Sequence, residues 1–296
     1  MLIDICEVGP RDGLQNLKRL FSVDERVALI NRLSAAGARH IEAVSFVNPA
    51  RVPQMADAEA VLAAIDRPAG LSVAGLVMNE RGVGRALRCA LDELRFVIVA
   101  SETFSLRNQA ASVGQTLEAF KQVCPMVHAH GIRMTAVIAA AFGCPFEGHI
   151  PQARVVELVS QAVTRGAETI ILADTIGAGV PTQVAAMLKA VRTAHPGLTV
   201  GCHFHNTRNM GFANAYAALV GGATILDASI GGLGGCPFAP RATGNIATED
   251  LLYLLGGWGT ASGWDHTRAI EVVQWLRDRV PNEITGRMAD AGWFPG

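Results

Sequence analysis

No two cysteines in this chain share a C-x-x-C spacing, although there are six: Cys6, Cys89, Cys124, Cys144, Cys202 and Cys236. That argues against a structural zinc site, and a chain of 296 residues needs no disulfide staples. A reducing, cytoplasmic compartment is the expectation. An excess of one charge is also missing, the formal net charge being −1. Nucleic acid and anionic membrane surfaces are therefore not expected as partners. No apolar run reaches the roughly 18–20 residues that a membrane span requires. The opening Met1-Leu2-Ile3-Asp4 has no basic start and meets a charge at once, so no secretory leader is expected. No G-x-G-x-x-G follows the first predicted strand, which weakens a dinucleotide-binding sheet. Aromatics are scarce at 6%, and no linker or low-complexity tract divides the chain.

What is present is a regular alternation. Half of the residues are hydrophobic, enough to bury a large core. Short β-branched runs predict strands over residues 2–8, 40–46, 71–77, 94–100, 133–140, 169–173, 198–204 and 224–229. Helical patterns separate them, over 23–37, 57–65, 80–90, 113–130, 152–165, 181–195 and 211–220. Several end in glycine, as at Gly37, Gly166 and Gly222, which suits a left-handed cap before the next strand. Apolar strands covered by helices imply a parallel sheet. Eight such units point to an α/β fold, a closed (β/α)8 TIM barrel, rather than an open sheet. The expected division is a catalytic barrel over 1–260 and a helical extension over 261–296, with a helix at 266–280, packed on the barrel.

Barrel enzymes place their chemistry at the C-terminal ends of the strands. On strand seven, His203-Phe204-His205 puts two imidazoles on one face, about 6.5–7 Å apart along the chain. Converging imidazoles suit a divalent metal; two hydrogen-bonded polar histidines are the plain alternative. Asp12 follows strand one and offers a carboxylate oxygen, although Asp12-Gly13 is also ordinary turn chemistry. Asn245 could add an amide oxygen or serve as a helix N-cap. Mixed nitrogen and oxygen ligands suit Mg²⁺ or Mn²⁺. Arg11 places a fixed positive charge beside such a metal, where an oxyanion could develop. Cys236 follows a glycine-rich loop, Gly231-Gly232-Leu233-Gly234-Gly235, that can close over a substrate and present a thiol for proton exchange. Glu42 and Asp174 are read as carboxylates facing the barrel mouth. His40, His128, His130, His149, His195 and His266 read as surface or helix-end residues.

Three stretches carry a resemblance. Glu7 to Asn16 (EVGPRDGLQN), His203-Phe204-His205, and Gly232 to Pro237 continuing through Gly244-Asn245 to Asp250 resemble the 3-hydroxy-3-methylglutaryl-CoA lyase family. That family belongs to the metallolyase barrels that include isopropylmalate and homocitrate synthases. The resemblance implies Asp12, His203, His205 and Asn245 as ligands of Mg²⁺ or Mn²⁺. It implies Arg11 as enolate stabiliser, Cys236 as the loop thiol, and Asp174 and Glu42 as catalytic carboxylates. Arg11, Gln15, Lys18, Ser45 and Asn108 fall on substrate positions, and a homodimer is implied.

The implied reaction cleaves a carbon–carbon bond beside a tertiary alcohol, giving acetyl-CoA and acetoacetate from 3-hydroxy-3-methylglutaryl-CoA. Either Asp174 or His203 could take the hydroxyl proton. Departures from the family surround the site: Asn206, Arg208-Asn209-Met210, Ile171, Arg241 and Phe146. They leave room for a related 3-hydroxy-3-carboxyalkyl-CoA. A condensing acyltransferase of the isopropylmalate synthase type and a non-catalytic barrel are the rival readings.

Overall fold

Eight parallel strands close on one another in chain order, so every strand has two neighbours and no sheet edge is left. The computed structural model describes residues 3–235, 244–260 and 263–294. The strands are β1 (Asp4–Glu7), β2 (His40–Ser45), β3 (Ser72–Val77), β4 (Glu93–Val99), β5 (Arg133–Ala139), β6 (Thr169–Asp174), β7 (Thr199–Phe204) and β8 (Ile225–Ala228). The helices on the outside are α1 (Val23–Ala35), α2 (Ala58–Ala64), α3 (Glu80–Ala86), α4 (Glu102–Gln109), α5 (Val113–Ala129), α6 (Gln152–Thr164), α7 (Pro181–Ala194) and α8 (Gly211–Val220). The predicted TIM barrel is therefore the observed fold. All eight expected strands appear, their ends within two residues of those expected. Gly37, Gly166 and Gly222 have positive φ, as expected of helix caps.

Several elements were not expected, three of them near the site or the outer ring. A short helix, α4, precedes α5. A π-helical turn, Gly9–Gly13, follows β1, and the N–H groups of Arg11, Asp12 and Gly13 all donate to the carbonyl of Val8. After β8, α9 (Thr248–Gly257) completes the outer ring. Beyond it, α10 (His266–Arg277) buries Ala269, Val272, Val273 and Leu276. Asp265 N–H and Arg268 Nη1 donate to the carbonyls of Ala36 and Ala35, seating α10 beside the end of α1. A last turn, α11, covers Met288–Ala291. No described helix is long and apolar enough to cross a membrane.

The inside of the barrel is layered. Cys6, Val8, Ile171 and Ile225 form an apolar cluster apart from the main core between sheet and helices. Gly201 must be glycine there: a Cβ would lie 2.6 Å from Ile171 Cδ1 and 2.7 Å from Ile225 Cβ. Gly201 pairs in register with Ile171 and Ile225, and two residues on His203 pairs with Ala173 and Asp227. The imidazoles thus stand on an apolar plug, one layer nearer the mouth. His40 corrects an expectation. It is buried inside the barrel, with Nδ1 2.8 Å from Asp4 Oδ2 and Nε2 3.2 Å from Glu93 Oε2.

Candidate metal centre and active site

The alternation of β7 aims His203 and His205 into the barrel mouth, their ring centroids 5.1 Å apart. The π-turn after β1 carries Asp12 to the same point. Its Oδ2 lies 3.9 Å from His203 Nε2 and 3.8 Å from His205 Nε2. One ligand atom from each of the three falls within 4.8 Å of the others. The segment after the glycine-rich loop returns to this point by pairing with two strand ends. Asn245 bridges His205, and Ala247 bridges Ser229. Asn245 Nδ2 donates to Asp12 Oδ2 at 2.8 Å and to the carbonyl of Leu233 at 2.9 Å. Its Oδ1 is buried without a partner among the described residues. Buried oxygens are rarely left so, and an oxygen beside a carboxylate and two imidazoles is what a cation would take. These four residues fit a divalent metal.

The charges around them alternate. Arg11 donates through Nε to Glu42 Oε1 and through Nη1 to Asp12 Oδ1. Arg95 Nη1 meets Glu42 Oε2 at 3.3 Å and Asp227 Oδ1 and Oδ2 at 3.0 and 2.9 Å. Asp227 Oδ2 in turn faces His203 Nδ1 at 3.1 Å. Burial opposes ionisation of Asp12, but Arg11 and the two imidazoles outweigh it and hold the carboxyl well below its usual range. Burial likewise opposes a charge on Asp227, and Arg95 with His203 keeps it ionised. A carboxylate at Nδ1 orients a ligand imidazole and raises its basicity.

Arg11, Asp12, Gln15, Glu42, Asn108, His203 and His205 all line one cavity of about 160 Å³. Leu76, Met78, Val97, Phe104 and Val137 form its apolar wall, and Gly235, the residue before Cys236, reaches its rim. Cys236 itself, and Arg241, lie outside the described residues. A larger open cleft of about 870 Å³ lies beyond Asn245, between α8, α9 and residues 284–288. It includes neither histidine nor Asp12, so the smaller cavity is the one with convergent chemistry.

Three expected residues are placed elsewhere. Asp174 pairs in register with Phe204, one residue out of phase with the inward Ala173. Its carboxylate accepts from the N–H groups of Ala178 and Gly179 at 2.8 and 2.9 Å. It shapes the turn after β6 and is not among the residues lining the cavity, while the charges of His205 and His203 still reach it. Lys18 is exposed and is not part of the lining. Ser45 is buried at the end of β2, its Oγ unpartnered, and is not part of the lining. Ile171 lies in the plug below the histidines. Arg208 Nη1 donates to the carbonyls of Ile176 and Gly177.

Sequence reasoning missed Glu7, Arg95 and Asp227. Glu7 is wholly buried and accepts from Gly9 N–H, Ile230 N–H and Thr248 Oγ1 at 2.7, 2.9 and 2.6 Å. It ties the end of β1 to both sides of the glycine-rich loop. The signal was available: each is a charge inside an apolar strand covered on both faces, where a charge needs a partner.

A closed parallel barrel that gathers imidazole, carboxylate and guanidinium groups at the C-terminal ends of its strands is the arrangement of a TIM-barrel enzyme. The sequence matches the HMGL-like family over residues 2–276. It is 41% identical to the (R)-citramalyl-CoA lyase of Chloroflexus aurantiacus across 98% of this chain and 95% of that protein. It is also 41% identical to the hydroxymethylglutaryl-CoA lyase of Pseudomonas mevalonii, across 89% of this chain and 87% of that one. The structure of an HMG-CoA lyase from Acinetobacter baumannii, in complex with coenzyme A and 3-methylmalate, matches with a TM-score of 0.94 at 37% identity. That match covers 98% of this chain and 95% of the other. The chain belongs to the HMGL-like family and is a carbon–carbon lyase.

Proposed function

We propose that this lyase cleaves the C2–C3 bond of a short 3-hydroxy-3-methyl acyl-CoA bearing a carboxylate, releasing acetyl-CoA and a keto acid. The observation that carries the reading is the meeting of Asp12, His203, His205 and the unpartnered Asn245 Oδ1 beside Arg11 in one cavity. Those four residues would hold Mg²⁺ or Mn²⁺, the ions suited to mixed oxygen and imidazole ligands. Such an ion would polarise the hydroxyl and carboxylate oxygens of the substrate and make the alcohol easier to deprotonate.

The chain's own groups do the rest. As the C3 hydroxyl gives up its proton, for which His203 is the acceptor among the cavity-lining residues, and the carbonyl forms, the electrons of the C2–C3 bond pass to the thioester, whose oxygen gains charge. Arg11 has Nε and Nη1 committed to Glu42 and Asp12, which fixes the guanidinium plane. Nη2 has no partner among the described residues and is the edge left for that oxygen. C2 then takes a proton, for which Cys236, next to Gly235 at the cavity rim, is the proposed acid. The apolar wall of Leu76, Met78, Val97 and Val137 suits the methyl group.

Two substrates fit this chemistry. 3-Hydroxy-3-methylglutaryl-CoA would give acetoacetate, and citramalyl-CoA, one methylene shorter, would give pyruvate. The near full-length match to a citramalyl-CoA lyase favours carrying the second beside the first. Metal-free protein is assayed with each thioester before and after addition of Mn²⁺ or Mg²⁺, scoring acetyl-CoA together with acetoacetate or pyruvate. Cation-dependent cleavage of one of them is expected. Product from acetyl-CoA and a 2-oxo acid, without cleavage, would make it a condensing acyltransferase instead.

A further inference from the structure

We propose that Arg95 is a positioning residue, one guanidinium that sets the orientation of the ligand His203 through Asp227 and of Arg11 through Glu42. The proposal rests on the metal-dependent reading above. Arg95 stands on β4 and reaches β8, the strand opposite in a ring of eight. It is completely buried, and so are its three acidic partners: Glu42 on β2, Glu93 on β4 itself and Asp227 on β8. Its Nη1 is shared between both oxygens of Asp227 and Oε2 of Glu42, while Nε donates to Glu93 Oε1 at 2.8 Å. Each of the first two carboxylates uses another contact to hold a site residue. Asp227 Oδ2 holds His203 Nδ1, and Glu42 Oε1 holds Arg11 Nε. The two halves of the site, the metal ligands and the arginine for the developing oxyanion, thus meet at one nitrogen.

Two features separate this from a core ion pair kept for stability. Cys6, Val8, Ile171 and Ile225 form an apolar cluster beside it, so apolar side chains can pack part of this interior. Replacing a buried ion pair by apolar residues is often neutral or stabilising, so this network adds little that packing could not. The placement also leaves Arg95 Nη2 buried with no partner among the described residues while three oxygens crowd Nη1. A guanidinium placed only to satisfy carboxylates would share them between its two ends. Here it is held where it bridges Asp227 and Glu42. Without it Asp227 loses its counter-charge, His203 loses a fixed acceptor, and Arg11 loses the brace behind Glu42.

The test is a double-mutant cycle read by Mn²⁺ affinity of the metal-free protein, by calorimetry or EPR, with folding checked by circular dichroism. Arg95→Met is expected to weaken Mn²⁺ binding at least about tenfold, the usual effect of removing an outer partner of a ligand. Arg95→Lys restores most of the loss. In an Asp227→Asn background, where the link to His203 is already altered, Arg95→Met changes affinity by less than about twofold. Should Arg95→Met fail to fold, Arg95→Gln, planar and uncharged, goes through the same cycle. Equal losses in both backgrounds, or a lower Tm with unchanged Mn²⁺ affinity, overturn the proposal and leave Arg95 a structural residue. Wild-type protein that takes up no Mn²⁺ overturns the metal reading and this proposal together.

Discussion

Two charged residues near the mouth, Arg11 and Asp174, differ in where their atoms point, and that decides what each can do. Arg11 lines the cavity with two of its nitrogens anchored, so a lysine at this position keeps a charge and loses the fork. Arg11→Lys is expected to lower kcat at least ~10²-fold while Mn²⁺ affinity stays within a few-fold of wild type. A near-normal kcat would take Arg11 out of the chemistry. Asp174 is out of phase with the inward residues of β6 and spends both oxygens on backbone N–H groups. An amide there meets two donors with one acceptor. Asp174→Asn is therefore expected to cost about 1–3 kcal/mol of stability. Both limbs of the pH–rate profile should remain; a vanished limb would return Asp174 to the role of base.

The glycine-rich loop shows what an element contributes beyond its residue types. Gly234 has φ of +131°, and a Cβ there would lie 2.5 Å from Asn245 Nδ2. Close approach of this backbone lets Asn245 hydrogen-bond Asp12 while its Oδ1 stays free for a ligand. Gly234→Ala should push Asn245 aside and weaken Mn²⁺ binding by about tenfold or more, with strain of about 1–3 kcal/mol lowering Tm. Unchanged affinity would remove Asn245 from the ligand set. The barrel was legible from the sequence because apolar strands and glycine-ended helices are local patterns, read one element at a time. His203 and His205 were legible for the same reason, through the two-residue repeat of a strand. The π-turn that delivers Asp12 was not, since Pro10-Arg11-Asp12-Gly13 is equally compatible with a tight turn. Nor was the phase of β6, where a shift of one residue turns the Asp174 carboxylate onto the N–H groups of Ala178 and Gly179. Arg95 escaped because Glu42 and Asp227, which link it to the site, come from β2 and β8, distant in sequence and brought within reach only across the closed barrel.

At the scale of the whole molecule, buried acids give the protein a pH-dependent stability that is separate from its chemistry. Burial pushes Glu7 up to about 7 against its three hydrogen bonds, and Glu249 up to about 8. Both lie under the start of the glycine-rich loop: Glu7 accepts from Ile230 N–H and Glu249 Oε2 from Gly231 N–H at 2.9 Å. A carboxyl raised above its ordinary 4.5 keeps its proton in the folded protein while the unfolded chain releases it. Its stabilisation is complete below that ordinary value and is lost as pH rises towards about 7 for Glu7 and about 8 for Glu249. His40, raised against its burial by Cys6 first and then by Asp4 and Glu93, adds to the same alkaline limb. The acid limb has the opposite sign. Burial opposes charge on Glu93 and Asp227, but their arginine and histidine partners hold both low, so their stabilisation is lost as pH falls below the usual carboxylate range. Metal-free protein should therefore be most stable in mildly acidic solution, with Tm falling by roughly 5 °C between pH 5.5 and 8.5. Glu249→Gln keeps an oxygen for Gly231 N–H and cannot ionise, and Glu249 Oε1 has no partner to lose among the described residues. This variant should show a visibly shallower fall over that range with the acid limb unchanged. A slope equal to wild type would mean that Glu249 is already ionised in the folded protein, and the alkaline limb would then belong to Glu7 and His40.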